Sequence, residues 1–145
     1  MATVVAEEQE TKSVHSAVEV NQVLLDAVLG SVDAAMSMCD IQVHCVGVSR
    51  VPSRESGVVT GMIGVHGKVS GFITLNMSER FAITAVEGLL QEEYGKLTSQ
   101  VVDGSGEITN IVVGGIKSSL ARSKWSFLQI TIPSTIVGND FSIGY

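Results

Sequence analysis

Three side chains in the second half of the chain have types and spacing that suit chemistry. They are Asp103, Glu107 and Asn110, in the run Asp103-Gly-Ser-Gly-Glu107-Ile-Thr-Asn110. On a helix, positions i, i+4 and i+7 fall on one side, and residues three apart bring their Cβ atoms to roughly 5–6 Å. One face would then present two carboxylates, which accept, beside a neutral amide, which both donates and accepts. The same composition also fits a solvated polar face lying opposite Ile108, Ile111 and Val112.

The other candidates are weaker. His15, His44 and His66 fall in an N-terminal tail, in a strand and at a hairpin, and no nucleophile–base–acid triad is legible. Gly114-Gly115-Ile116-Lys117-Ser118 has a residue between glycine and lysine and a helical context, whereas a phosphate-binding loop needs Lys directly after Gly and a strand before it. Those glycines read better as small residues that let a helix sit close to a neighbour. Cys39 and Cys45, without a histidine cluster of zinc-like spacing, do not form a metal site, and no cofactor of the chain's own is expected.

Composition narrows the partners. The 145 residues carry 9 Lys plus Arg against 15 Asp plus Glu, a formal charge of −6, which gives no basic footprint for nucleic acid or an anionic membrane. The first residues lack a basic segment followed by an apolar one, and the apolar stretch Val23 to Met36 carries Asp26 and Asp33 and is too short to cross a bilayer. A reducing cytoplasm is the expected compartment.

Hydrophobic periodicity places the three residues in a framework. Residues 1–18 read as a loosely ordered tail and 19–145 as one domain. Val23, Leu24, Ala27, Val28, Val32, Ala35 and Met36 recur at helical spacing after a capping Asn21. Ile41, Val43 and Cys45 alternate with Gln42 and His44, predicting a strand from Ile41 to Arg50 ended by Pro52. Gly57 to His66 and Val69 to Met77 predict a hairpin turning at His66-Gly67-Lys68. Ser78 caps a helix that stops near Gly95, and a longer helix runs from Leu97 or Asp103 to Arg122, with Gly104, Ser105 and Gly106 leaving its start open. Phe127 to Ile132 alternates as a strand closed by Pro133, and a turn at Gly138-Asn139-Asp140 precedes the start of another strand at Phe141 to Tyr145.

This order is an antiparallel α+β fold: two long helices packed on a sheet built from a pseudo-repeat of helix plus three strands. The first unit takes residues 21 to 77; a second starting near Asp103 would need roughly 15 residues beyond Tyr145, so the last strand is expected to be missing.

The spacing around Glu107 resembles the CheC, CheX and FliY phosphatases of bacterial chemotaxis. Their signature is Asp or Ser, three residues, Glu, two residues, Asn, twenty-two residues and Pro; Asp103, Glu107, Asn110 and Pro133 stand at those intervals. Gly106-Glu107-Ile108-Thr109-Asn110-Ile111-Val112-Val113-Gly114-Gly115, Val58 to Gly64 and Gly71 to Leu75 are also similar to the family. With Gly30 set against Gly114, Val23 and Asp26 stand in the first helix where Glu107 and Asn110 stand in the second, and this single pair favours the CheX-like branch.

The resemblance implies a phosphatase that hydrolyses the aspartyl phosphate of a CheY-like receiver. Asn110 would orient the attacking water, and Glu107 would dock to the receiver's Lys. It further implies Mg²⁺ supplied by the receiver, and a homodimer paired through sheet edges. Asp103 would cap or brace the helix start. A receiver-binding or dimerising module without catalysis is the alternative, and a structural part of the flagellar switch a more distant one.

Overall fold

The computed structural model describes residues 3–4, 20–49, 57–141 and 143. The first helix, α1 (Gln22–Met38), starts where Asn21 leaves extended backbone and its side-chain oxygen accepts from Leu24 N at 3.2 Å. Strands β3 (Val59–Gly67) and β4 (Gly71–Met77) form the hairpin. β3 runs one residue further than the periodicity predicts, so the turn is carried by Lys68, Val69 and Ser70, across which His66 Nδ1 and Ser70 Oγ lie 2.7 Å apart.

Helix α2 (Glu79–Leu90) is capped by Ser78, which accepts from Phe81 N, and ends at Gln91 in the left-handed region. Helix α3 (Ser99–Leu120) is continuous through Gly104, Ser105 and Gly106. Its N-cap is Thr98, accepting from Val101 N at 3.3 Å, so Asp103 stands in the second turn and does not cap the helix start. Two buried hydroxyls inside this stretch are satisfied by the preceding turn: Ser105 Oγ donates to Val101 O and Thr109 Oγ1 to Ser105 O.

The sheet is three ribbons wide. β4 and β3 pair antiparallel, and the other side of β3 is shared by β5 (Phe127–Ile130) and β6 (Ser134–Val137), both antiparallel to it. The break between β5 and β6 falls at Thr131-Ile132-Pro133, where proline has no N–H to give. Thr131 bridges it: its N donates to Gly64 O and its Oγ1 accepts from Gly64 N, both at 2.9 Å. Sequence periodicity missed β6, and among the described residues no strand follows Val137.

The predicted strand from Ile41 to Arg50 is not formed over 41–47. Only β2 (Val48–Ser49) is extended and paired, with β1 (Thr3–Val4), and Arg50 lies outside the described residues. Ile41 and Val43 pack against the core through their side chains alone, which satisfies the alternation without a ladder. Thr3–Val4 belong to the stretch expected as a tail; residues 5–19 lie outside the described set.

The core lies between the helices and one face of the sheet, with Val59, Ile63 and Val65 of β3 buried with Ile108, Val112, Val113 and Ile116 of α3. Ser31 of α1 abuts Gly115 of α3, where a Cβ would come 2.9 Å from Ser31 Oγ. In the alignment of Gly30 with Gly114 these two residues are equivalent, so α1 and α3 meet at matching positions.

On the sheet side, a Cβ on Gly61 of β3 would overlap the Thr109 hydroxyl and come 2.8 Å from Thr109 Cβ, whereas one on Gly30 of α1 meets nothing within 4 Å. Gly61→Ala is therefore expected to destabilise by about 1–3 kcal/mol through overpacking. Gly30→Ala is expected to stabilise by roughly 0.5–1 kcal/mol. Urea unfolding midpoints read both, and a neutral Gly61→Ala would contradict this packing.

Candidate functional site

Asp103, Glu107 and Asn110 lie on the outward stripe of α3. Asp103 and Glu107 are exposed and Asn110 is half-buried, while Gly104, Ser105, Gly106, Ile108 and Thr109 between them are buried. Among the described residues no hydrogen bond or ion pair engages any of the three side chains. They are presented to solvent by a helix whose inner face is fixed, so their positions are set by packing that they do not themselves supply.

That packing uses small residues on several sides of α3. Gly104 admits Val86 of α2, where an added Cβ would stand 2.6 Å from a Val86 methyl. Gly106 faces Thr135 and Pro133, 3.2 Å and 3.7 Å from where its Cβ would be. This last contact brings the fourth member of the spaced set to the other three: Pro133, distant in sequence, packs on α3 beside the turn that carries Glu107 and Asn110. The family resemblance indicated that Pro133 belonged; the contact with Gly106 was not readable from periodicity.

The corresponding face of α1 is built differently. Val23 is 51% exposed, and the Asp26 carboxylate accepts from Gln22 Nε2 at 2.6 Å. An apolar side chain and an engaged carboxylate replace a free carboxylate and a free amide. Two such groups on one face of one helix therefore occur on α3 and not at the matching positions of α1.

A family model for the chemotaxis phosphatase CheX matches residues 59–145, which span β3 to the last residue and include the whole of α3. The chain belongs to the CheX family. Solved structures share its fold. A CheC-like superfamily protein from Shewanella sp. PV-4 superposes with a TM-score of 0.74 at 23% identity, over 86% of this chain and 82% of the other. Chemotaxis protein CheX from Vibrio vulnificus gives 0.68 at 28% identity, over 86% and 83%. CheX from Borrelia burgdorferi, in complex with CheY, BeF₃ and Mg²⁺, gives 0.56 at 22% identity, over 82% and 77%. No curated protein matches the sequence.

Membership in the CheX family accounts for the α+β layout and connects the chain to the chemotaxis proteins. Among the described residues no group of three His, Cys, Asp or Glu side chains is placed to hold a metal, and no helix is long and apolar enough to cross a membrane.

The two cysteines lie apart from the site. Cys45 is exposed, and Cys39 is buried at the end of α1 with its backbone carbonyl against Gly88 of α2. Burial pushes the Cys39 thiol above its ordinary value, and the neighbouring Asp40 charge adds to the shift. With a thiol reagent, one thiol of the native protein is expected to react promptly and the second only on unfolding. Because the folded pKa is raised, the buried thiol's contribution to stability is complete below about pH 9 and is lost as pH climbs further. A Cys39→Ala variant should flatten that alkaline loss in pH-dependent melting.

Proposed function

We propose that the chain is a protein phosphatase that accelerates hydrolysis of the aspartyl phosphate on a CheY-like receiver. The observation that carries this reading is the unengaged Glu107–Asn110 pair on the fixed outer face of α3, in a chain of the CheX family. The fold shared with a CheX found together with CheY, BeF₃ and Mg²⁺ supports it further.

The reaction transfers the phosphoryl group to water. A water oxygen forms a bond to phosphorus, the acyl phosphate P–O bond breaks, and the receiver aspartate leaves as carboxylate with inorganic phosphate as the other product. The receiver brings the phosphoaspartate, Mg²⁺ and a lysine. Asn110 accepts a hydrogen bond from the water through its amide oxygen and holds it in line, and it remains neutral beside the phosphate. Glu107 pairs with the lysine and sets the docking register.

Help of this kind is positioning in place of proton transfer, as is usual for phosphoryl transfer. The protein acts in the cytoplasm, without a cofactor of its own. It pairs with a second copy through the outer edge of β5 and β6, where Leu128 and Ile132 are 75% and 85% exposed.

Asn110→Ala is expected to lower receiver-stimulated phosphate release by on the order of 100-fold or more, with no change in unfolding midpoint. Glu107→Lys is expected to raise the half-saturating receiver concentration, because it sets like charges against each other. Both are read in phosphate-release time courses with receivers encoded by the same organism. An active Asn110→Ala protein overturns the assignment, and capture of a phosphorylated receiver without faster hydrolysis gives a binding module instead.

A further inference from the structure

Helix α3 holds four glycines, and three have a packing reason. A Cβ on Gly104 would strike Val86, one on Gly106 would press on Thr135, and one on Gly115 would press on Ser31, whereas a Cβ on Gly114 meets no atom within 4 Å. Nor does conformation require glycine there, since the positive-φ glycines are Gly71, Gly95 and Gly138. A glycine inside a helix lowers stability relative to alanine. Gly114 therefore carries a cost that no contact within the described chain offsets.

Its place on the helix supplies a reason. Gly114 follows Asn110 by four residues, about 6 Å along the axis, and shares the outward stripe with Glu107 and Asn110. Asparagine is a short side chain, so its amide reaches a group on a partner only if that partner comes close to the helix itself. A side chain one turn away on the same stripe would hold the partner off.

We propose that Gly114 is a positioning residue for the receiver: its missing Cβ lets the receiver's surface seat against the α3 backbone, so that Asn110 reaches the water beside the phosphoryl group. This rests on the phosphatase reading given above. Gly30 stands at the equivalent place on α1, in equally open space, beside Val23 and Asp26 in place of the pair, and so serves as a control with the same local backbone cost.

The test uses the full chain with a CheY-like receiver from the same organism, loaded with beryllofluoride and Mg²⁺ for binding and with phosphate for turnover. Gly114→Ala is expected to raise the melting temperature while it lowers the stimulated rate by on the order of 10- to 100-fold and weakens binding, and Gly114→Leu is expected to lower the rate further. Gly30→Ala is expected to raise the melting temperature and leave rate and binding unaltered.

A Gly114→Ala protein with wild-type rate and binding overturns the proposal. So does one whose melting temperature falls together with its activity, because the glycine then serves the fold, and so does a loss of activity that tracks a change of mass in light scattering. If the wild type neither binds the loaded receiver nor speeds phosphate loss, the functional reading falls and the proposal with it. Failure of the proposal alone shows as an active wild type matched by Gly114→Ala.

Discussion

The structure depends on how closely α3 is seated. Its neighbours on three elements approach at positions without a Cβ on one side of the contact: Val86 of α2 at Gly104, Thr135 and Pro133 at Gly106, and Ser31 of α1 at Gly115. On a fourth element, β3, Gly61 leaves the space that Thr109 fills. Interiors pack at crystal-like density, so a helix held this way on several sides has little freedom to shift or rotate. The glycines that obscured the helix start in sequence are the residues that fix the helix in space.

That rigidity matters because the proposed chemistry consists of positioning. In the proposed reaction the outward stripe of α3 offers the location of one carboxylate, Glu107, and one amide, Asn110. An error of about 1 Å in such an arrangement costs on the order of 100-fold in rate. Pro133 shows how the sheet takes part: Thr131 carries the ladder across the break in the strand, and the proline at the break lies against α3 beside the turn that carries Glu107 and Asn110. The same residue interrupts one element and braces another.

The helices and the hairpin were legible because each has a cap and a clear period, as at Asn21 and Ser78, whose side chains accept the bonds their types suggest. That Glu107 and Asn110 share one helix face was legible from their spacing, and burial leaves that face outward. The run from Ile41 was misleading because alternation reports which side chains are buried and does not report whether the backbone pairs. β6 was missed because Pro133 reads as an end, whereas here the chain resumes the same partner after a short break. Asp103 does not cap α3: Gly104, Ser105 and Gly106 look like a helix boundary in sequence, while Thr98, further upstream, makes the cap.

The net charge of −6 gives no basic footprint for nucleic acid or anionic lipid, and the proposed partner is a protein surface approached through a few residues of the α3 stripe. The central claim is that this surface accelerates a receiver's loss of phosphate. The most direct measurement is the single-turnover decay of aspartyl phosphate on a cognate receiver as the concentration of the wild-type protein is raised. The account predicts a rate that climbs and saturates well above the receiver's own decay; a decay unchanged at every concentration would contradict it.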